Sequence, residues 1–216
     1  MLLTLLLLAL FLPLLFIFLF FKVVTISFVK LGVPPWAVLL LFVLCLIGSL
    51  VNIPVWYESP STPEAFFFYP HFTSGKIIAI NLGGCVIPSL LALWLLFKAP
   101  LLKTLIATAA ITGICYLIAE PVPGVGIQMP FFVAPLASAI LALILTRGKG
   151  SWGLRPSTGR GAAPIAYISG VFGTLIGADL LHLSALGTSG IYMISIGGAG
   201  VFDGIFLTGI VAAFLA

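Results

Sequence analysis

Few residues in this 216-residue chain can do acid–base chemistry: five carboxylates and two histidines. Asp179, Asp203 and Glu120 lie in or beside apolar runs, where a carboxylate is costly enough to be read first as functional. Two carboxylates a few ångströms apart cannot both ionise, so they share one proton. One then acts as base toward water while its partner protonates a substrate carbonyl. That chemistry cleaves amides without a metal or other cofactor, and none is expected. Asp179 and Asp203 are therefore the candidate catalytic pair, titrating as a unit. His182, three residues after Asp179, falls one helical turn on and is placed to pair with it. The plainer reading is an Asp and a His hydrating at a helix end. A zinc site needs three well-spaced ligands, and Asp179, His182 and Glu120 show no such pattern.

The elements that must position these residues are set by the solvent. The chain is 62% hydrophobic and 6% charged, with a mean hydropathy of +1.34, whereas a soluble domain carries roughly a quarter charged residues. This composition excludes a soluble enzyme with one anchor, a disordered chain and a nucleic-acid-binding domain, and it predicts an all-α, polytopic transmembrane bundle. Seven spans are expected: Leu2 to Phe21, Trp36 to Trp56, Ile77 to Phe97, Leu101 to Ala119, Met129 to Thr146, Ala163 to Leu183, and a last one ending at Ala216. The first lacks a basic start and a small-residue cleavage site, so it reads as a mature helix, lipid-facing and peripheral. Cys45, Cys85 and Cys115 are scattered and read as packing residues.

Eight of the nine basic residues fall in alternate loops, after span one, between spans three and four, and between spans five and six. That side should be cytoplasmic, with the N-terminus outside and the C-terminus cytoplasmic. The whole chain, 1–216, reads as one membrane domain. A five-span portion (1–147) and a two-span portion (163–216) are joined by a basic linker (148–162).

Most polar residues and helix breakers then gather at the external mouth. Asn52 and Pro54 end span two, and Asn81, Gly83, Gly84 and Pro88 occupy the first turns of span three. Glu120 and Gln128 flank the turn between spans four and five, and Pro135 lies just inside span five. His71, after an aromatic run, belongs to an interfacial belt. His182, Glu120, Asn81, Pro135 and Gly200 are the candidate binding residues around the aspartates, although Asn, Gly and Pro at helix ends also serve as caps and packing devices. Gly170, Gly173 and Gly177 share one face of span six, which wedges that helix between neighbours, with Asp179 nearly opposite Gly177. If span seven begins near Gly200, Asp203 is about 5 Å deep and Asp179 about 6 Å, a match. A start near Ile191 would put Asp203 about 18 Å deep. Gly197, Gly198 and Gly200 favour the first arrangement, with a strand over Ile191 to Ile196.

The stretch Gly200-Val-Phe-Asp203-Gly-Ile-Phe-Leu-Thr-Gly209 resembles the second aspartate helix of intramembrane aspartyl proteases, the presenilin, signal peptide peptidase and prepilin peptidase group. In that resemblance Asp179 corresponds to the first aspartate, and Ala134-Pro135-Leu136-Ala137 is similar to the group's proline motif. Phe202 stands where the group has Gly, Ala178 where it frequently has Tyr, and the proline motif precedes the aspartates instead of following them. Asn81-Leu-Gly-Gly84, Ala163-Pro-Ile-Ala-Tyr167, Gly177-Ala-Asp-Leu-Leu181 and Gly197 to Phe206 together resemble a family of uncharacterised prokaryotic multi-pass proteins known only as a domain of unknown function. That resemblance spans nearly the whole chain and implies a cell-membrane location but no activity.

Three readings follow. The first is an aspartyl intramembrane protease acting on transmembrane peptides. The second is a cation- or proton-coupled carrier or channel using Asp179, Asp203 and Glu120. The third is a non-catalytic scaffold subunit docking a membrane protein partner. The lipid bilayer is a partner in all three, and nucleic acid in none.

Overall fold

The computed structural model describes residues 2–58, 75–122, 126–146, 161–185, 191–198 and 204–216. The fold is mostly helical, and the described residues form seven α-helices: α1 (Leu2–Lys30), α2 (Pro35–Gly48), α3 (Ile87–Leu96), α4 (Leu101–Ile118), α5 (Val133–Thr146), α6 (Ala162–Thr174) and α7 (Gly204–Leu215). Two π-helical turns extend this framework, Leu82–Val86 running into α3 and Leu175–Leu180 continuing α6. Among the described residues, three helical runs are long and apolar enough to cross a membrane: Phe11–Lys30, Leu101–Ile118 and Ala162–Leu180. The other four helices are shorter and equally apolar.

The bundle is not purely helical. Strands β1 (Asn52–Glu58), β2 (Gly75–Asn81) and β5 (Ile191–Ile196) form a sheet in the order β1-β2-β5, the first pair antiparallel and the second parallel. Strands β3 (Glu120–Val122) and β4 (Gly126–Gln128) form a small hairpin. The expected second span, Trp36 to Trp56, is therefore a helix that stops at Gly48 and resumes as a strand. The expected third, Ile77 to Phe97, begins as a strand and becomes helical only at Leu82. The chemistry explains the change: Val51, Ile53 and Val55 are β-branched, and Pro54 lacks the N–H that a helix would need. A proline is tolerated in β1 because β1 is an edge strand. The strand expected at Ile191 to Ile196 is present, and α7 starts at Gly204, after the glycines.

Helix α6 is the axis of the bundle. Residues Ala163 to Val171 are all buried, and small residues admit a neighbour on each side. Gly173 and Gly177 take α4 at Ile111, Thr112 and Cys115, while Gly170 meets Thr208 of α7 and Ser138 of α5. The expectation of a wedged sixth helix holds, but its glycines serve three partners rather than one. Ala107, Ala142, Ile165, Ala166 and Ala212 cluster at the opposite end from the sheet. There Lys30 donates to the Phe214 carbonyl (2.6 Å) and Lys103 to the Leu145 carbonyl (2.6 Å), each supplying a proton donor to carbonyls left over at a helix C-terminus. Lys98 sits over the Trp94 ring at the same end. In α1 the stretch Phe11, Leu12 and Leu14 to Leu19 is exposed, in keeping with a peripheral helix, and Ser27 donates to the Ile210 carbonyl (2.9 Å). All three cysteines are buried.

The α4–α6 seam gives a paired prediction. A Cβ at Gly177 would run into the Thr112 carbonyl and come within 2.8 Å of Cys115 Cβ, whereas one at Gly113 of α4 would meet nothing within 4 Å. Gly177→Ala should cost about 1–3 kcal/mol and lower the thermal midpoint in detergent, while Gly113→Ala should leave that midpoint unchanged or raise it.

Candidate functional site

Asp179 lies in the second π turn, at the end of α6 remote from the lysines. A π turn closes with bonds to the fifth residue back, as in the Leu181 N–H to Ile176 carbonyl bond (3.0 Å), and turns through less angle per residue than an α-helix. This shifts the phase on which the sequence expectation rested. Asp179 is half-buried and lies within electrostatic reach of Cys115 on α4, the residue that Gly177 also packs against.

His182 is buried and engages the backbone. Its Nδ1 lies 3.1 Å from the Gly177 carbonyl and 3.0 Å from that of Ala178. A carbonyl only accepts, so Nδ1 carries a proton and donates it here. The ring lies against Tyr116 of α4, centroids 4.9 Å apart. The imidazole thus caps the last carbonyls of the α6 run, which helix geometry leaves unpaired, and pins that end to α4. These backbone bonds are partners that the spacing from Asp179 did not suggest. Tyr116 was missed by sequence reading, since nothing in its spacing marks it.

Asp203 and Gly200 lie outside the described residues. Asp203 directly precedes Gly204, the first residue of α7. Helices α6 and α7 run antiparallel in direct contact: Gly170 faces Thr208, and Ile165 and Ala166 cluster with Ala212. In that register, four residues along each helix bring Gly204 level with Thr174, five residues short of Asp179.

The densest polar cluster lies where the sheet meets the helices. Asn81 closes β2 and opens the first π turn, and only 1% of it is exposed. Its Nδ2 donates to the Ser49 carbonyl (2.7 Å) and to Asn52 Oδ1 (3.0 Å), while its Oδ1 accepts from the Gly84 N–H (2.8 Å). Ser195 of β5 donates to the same Asn52 oxygen (2.5 Å). One side chain thereby ties the end of α2, all three strands and the start of α3. Gly83 completes the joint, because any Cβ there would strike the Cys45 carbonyl of α2. Gly197 follows β5 with φ +72°, packed on Cys85. Asn81, proposed from sequence as a binding residue, has its amide groups committed to this joint. Ser195 was not anticipated; the two asparagines interrupting apolar runs were the available signal.

Glu120 is exposed at the start of β3, opposite Gln128, on a shallow groove lined also by Ile118, Ile127, Met129 and Pro130. Pro135 is buried in the first turn of α5. His71 and the four basic residues of the 147–160 segment lie outside the described residues.

Residues 46–215 match a family described as protein of unknown function (DUF1614). No curated protein and no solved structure matches the chain.

Removing the Asn81 amide strands the Ser49 carbonyl and the Gly84 N–H in an apolar interior. Asn81→Ala is expected to destabilise by about 1–3 kcal/mol for each stranded group, read by denaturant unfolding in micelles. Ser195→Ala removes a single bond and should cost about 1 kcal/mol.

Proposed function

The chain belongs to the DUF1614 family, and we propose that it is a polytopic membrane protein carrying an aspartyl-protease-type acid–base site formed by Asp179 and Asp203. Its lysine end faces the cytoplasm of a cell membrane that seven spans cross, with the N-terminus outside and the C-terminus inside. The observation that carries the reading is the direct packing of α6 on α7. The helix that ends in Asp179 and the helix that starts after Asp203 touch, with no third helix between them. The five-residue offset in register amounts to about 7 Å at ~1.5 Å per residue. Asp179 is half-buried in the turn that packs against α4.

The carrier reading needs a polar path from this end to the lysine end. Four hydroxyls between the two ends are bonded within their own helices. Thr104 donates to the Pro100 carbonyl, Thr108 to that of Thr104, Ser138 to that of Ala134 and Ser169 to that of Ala166. They act as helix-packing groups.

The test is reconstitution with model transmembrane peptides, comparing wild type with Asp179→Asn and Asp203→Asn. Wild type should cleave, and each substitution should lower the rate at least about 100-fold. Equal cleavage by all three proteins, or cleavage by none, would overturn the proposal.

A further inference from the structure

The four short helices raise a problem of depth. At about 1.5 Å per residue, α2, α5 and α7 each climb roughly 18–21 Å, well under a hydrocarbon core of about 30 Å. Helix α4 and the α6 run climb about 27–28 Å by the same rise. The short helices and the long ones stand side by side, so something else must carry the chain through the remaining depth.

The registers show what does. The Tyr167 hydroxyl reaches the Pro88 carbonyl at 3.5 Å, tying α6 to α3. Six residues toward the sheet from each of these lie Gly173 on α6 and Leu82 on the first π turn, so the Asn81 joint sits near the level of Gly173. From there the α6 run continues through Leu180, about 10 Å further at 1.5 Å per residue. The strands therefore begin about 10 Å below the top of the long helices. Trp56 pairs with Ile78, three residues up β2 from Asn81, about 10 Å at ~3.3 Å per strand residue. This brings Trp56 level with the helix tops. Along α3 and β2, the climb from Trp94 at the lysine end to the level of Trp56 is about 30 Å on those rises.

The surface agrees. Leu39, Leu40, Leu44 and Ile47 form an exposed apolar stripe on α2, and it continues unbroken through Leu50 and Val51 to Ile53, Val55 and Trp56 of β1. A half-buried strand alternates apolar and polar neighbours; β1 exposes apolar side chains at consecutive positions, as lipid contact demands. Glu58 is in register with Lys76 at the end of the paired strands remote from Asn81.

We propose that the inner ends of β1, β2 and β5 lie within the outer leaflet, that Ile53 contacts acyl chains, and that Trp56 marks the outer interface. The occupant of the exposed α2–β1 face is lipid. In hydrocarbon no water can satisfy a backbone that leaves its helix, and this assigns the Asn52–Asn81–Ser195 cluster its task. It supplies donors and acceptors to the chain at the depth where helix becomes strand.

The inference rests on the membrane reading above but is independent of any chemistry at Asp179. The test uses nitroxide labels on Ile47→Cys, Ile53→Cys and Val55→Cys in the full-length protein in phosphatidylcholine bilayers, read by power saturation against oxygen and an aqueous nickel chelate. Ile47 is the control, expected in lipid however the sheet sits. Ile53 should match Ile47, with oxygen accessibility several-fold above nickel accessibility, and Val55 should be shallower. In addition, chain-brominated lipids should quench wild type more than Trp56→Phe. Lipid exposure at Ile47 with nickel-dominated relaxation at Ile53 would overturn the sheet's placement alone. Nickel-dominated relaxation at all three would overturn the membrane reading as well. Exclusion of both reagents from Ile53 and Val55 would mean that protein covers this face, and would also refute the proposal.

Discussion

The amide of one asparagine sets the terms for this fold. Asn81 has two N–H groups and one carbonyl oxygen, and all three are engaged by the ends of other elements: the last carbonyl region of α2, the first residue of β1 and the opening turn of α3. In an apolar surrounding, an unmade hydrogen bond costs far more than a made one returns in water. A helix can abandon its ladder there only where a side chain takes over, and Asn81 is that side chain. Through Asn52 it also holds Ser195, and with it the strand that leads toward α7.

The other organising feature is the scarcity of bulk along α6. Neighbours approach so closely at Gly170, Gly173 and Gly177 that side chains of Thr208, Ile111 and Cys115 fill the space a Cβ would take. With no hydrophobic drive between helices in lipid, such close van der Waals packing is what holds a bundle together. It also fixes geometry. Because α4 and α7 are both keyed to α6, the end of α6 that carries Asp179 and the start of α7 are brought to the same part of the molecule. The imidazole of His182 then secures that end against Tyr116.

Much of this was legible in the residues, in proportion to how local the cause is. The apolar helices, the strand at Ile191–Ile196, the late start of α7 after its glycines and the buried cysteines all follow from neighbouring residues alone. Strands β1 and β2 did not, because an apolar run of twenty residues satisfies a helix and a strand alike, and composition cannot separate them. The β-branched residues around Pro54 were a cue, but Asn52 and Asn81 read equally well as helix ends until the 29-residue separation between them is seen to close. The π turns have no sequence signature, so a helical phase carried from Gly177 to Asp179 could not anticipate the turn at Leu175–Leu180. His182 is buried, and its spacing from Asp179 gives no sign that its Nδ1 meets the carbonyls of Gly177 and Ala178. The dyad itself rests on a resemblance and on the contact between two helices.

The most direct measurement of the central claim is amide hydrogen exchange at the joint, in protein held in bilayer nanodiscs. The Gly84 N–H donates to Asn81 Oδ1 and the Leu82 N–H to the Val51 carbonyl. Both should exchange as slowly as the amides of buried α6, and Asn81→Ala should release them while α6 remains protected. Rapid exchange of Leu82 and Gly84 in the wild-type protein would contradict the account, since the joint would then be a solvated loop and not the point on which helices and strands depend.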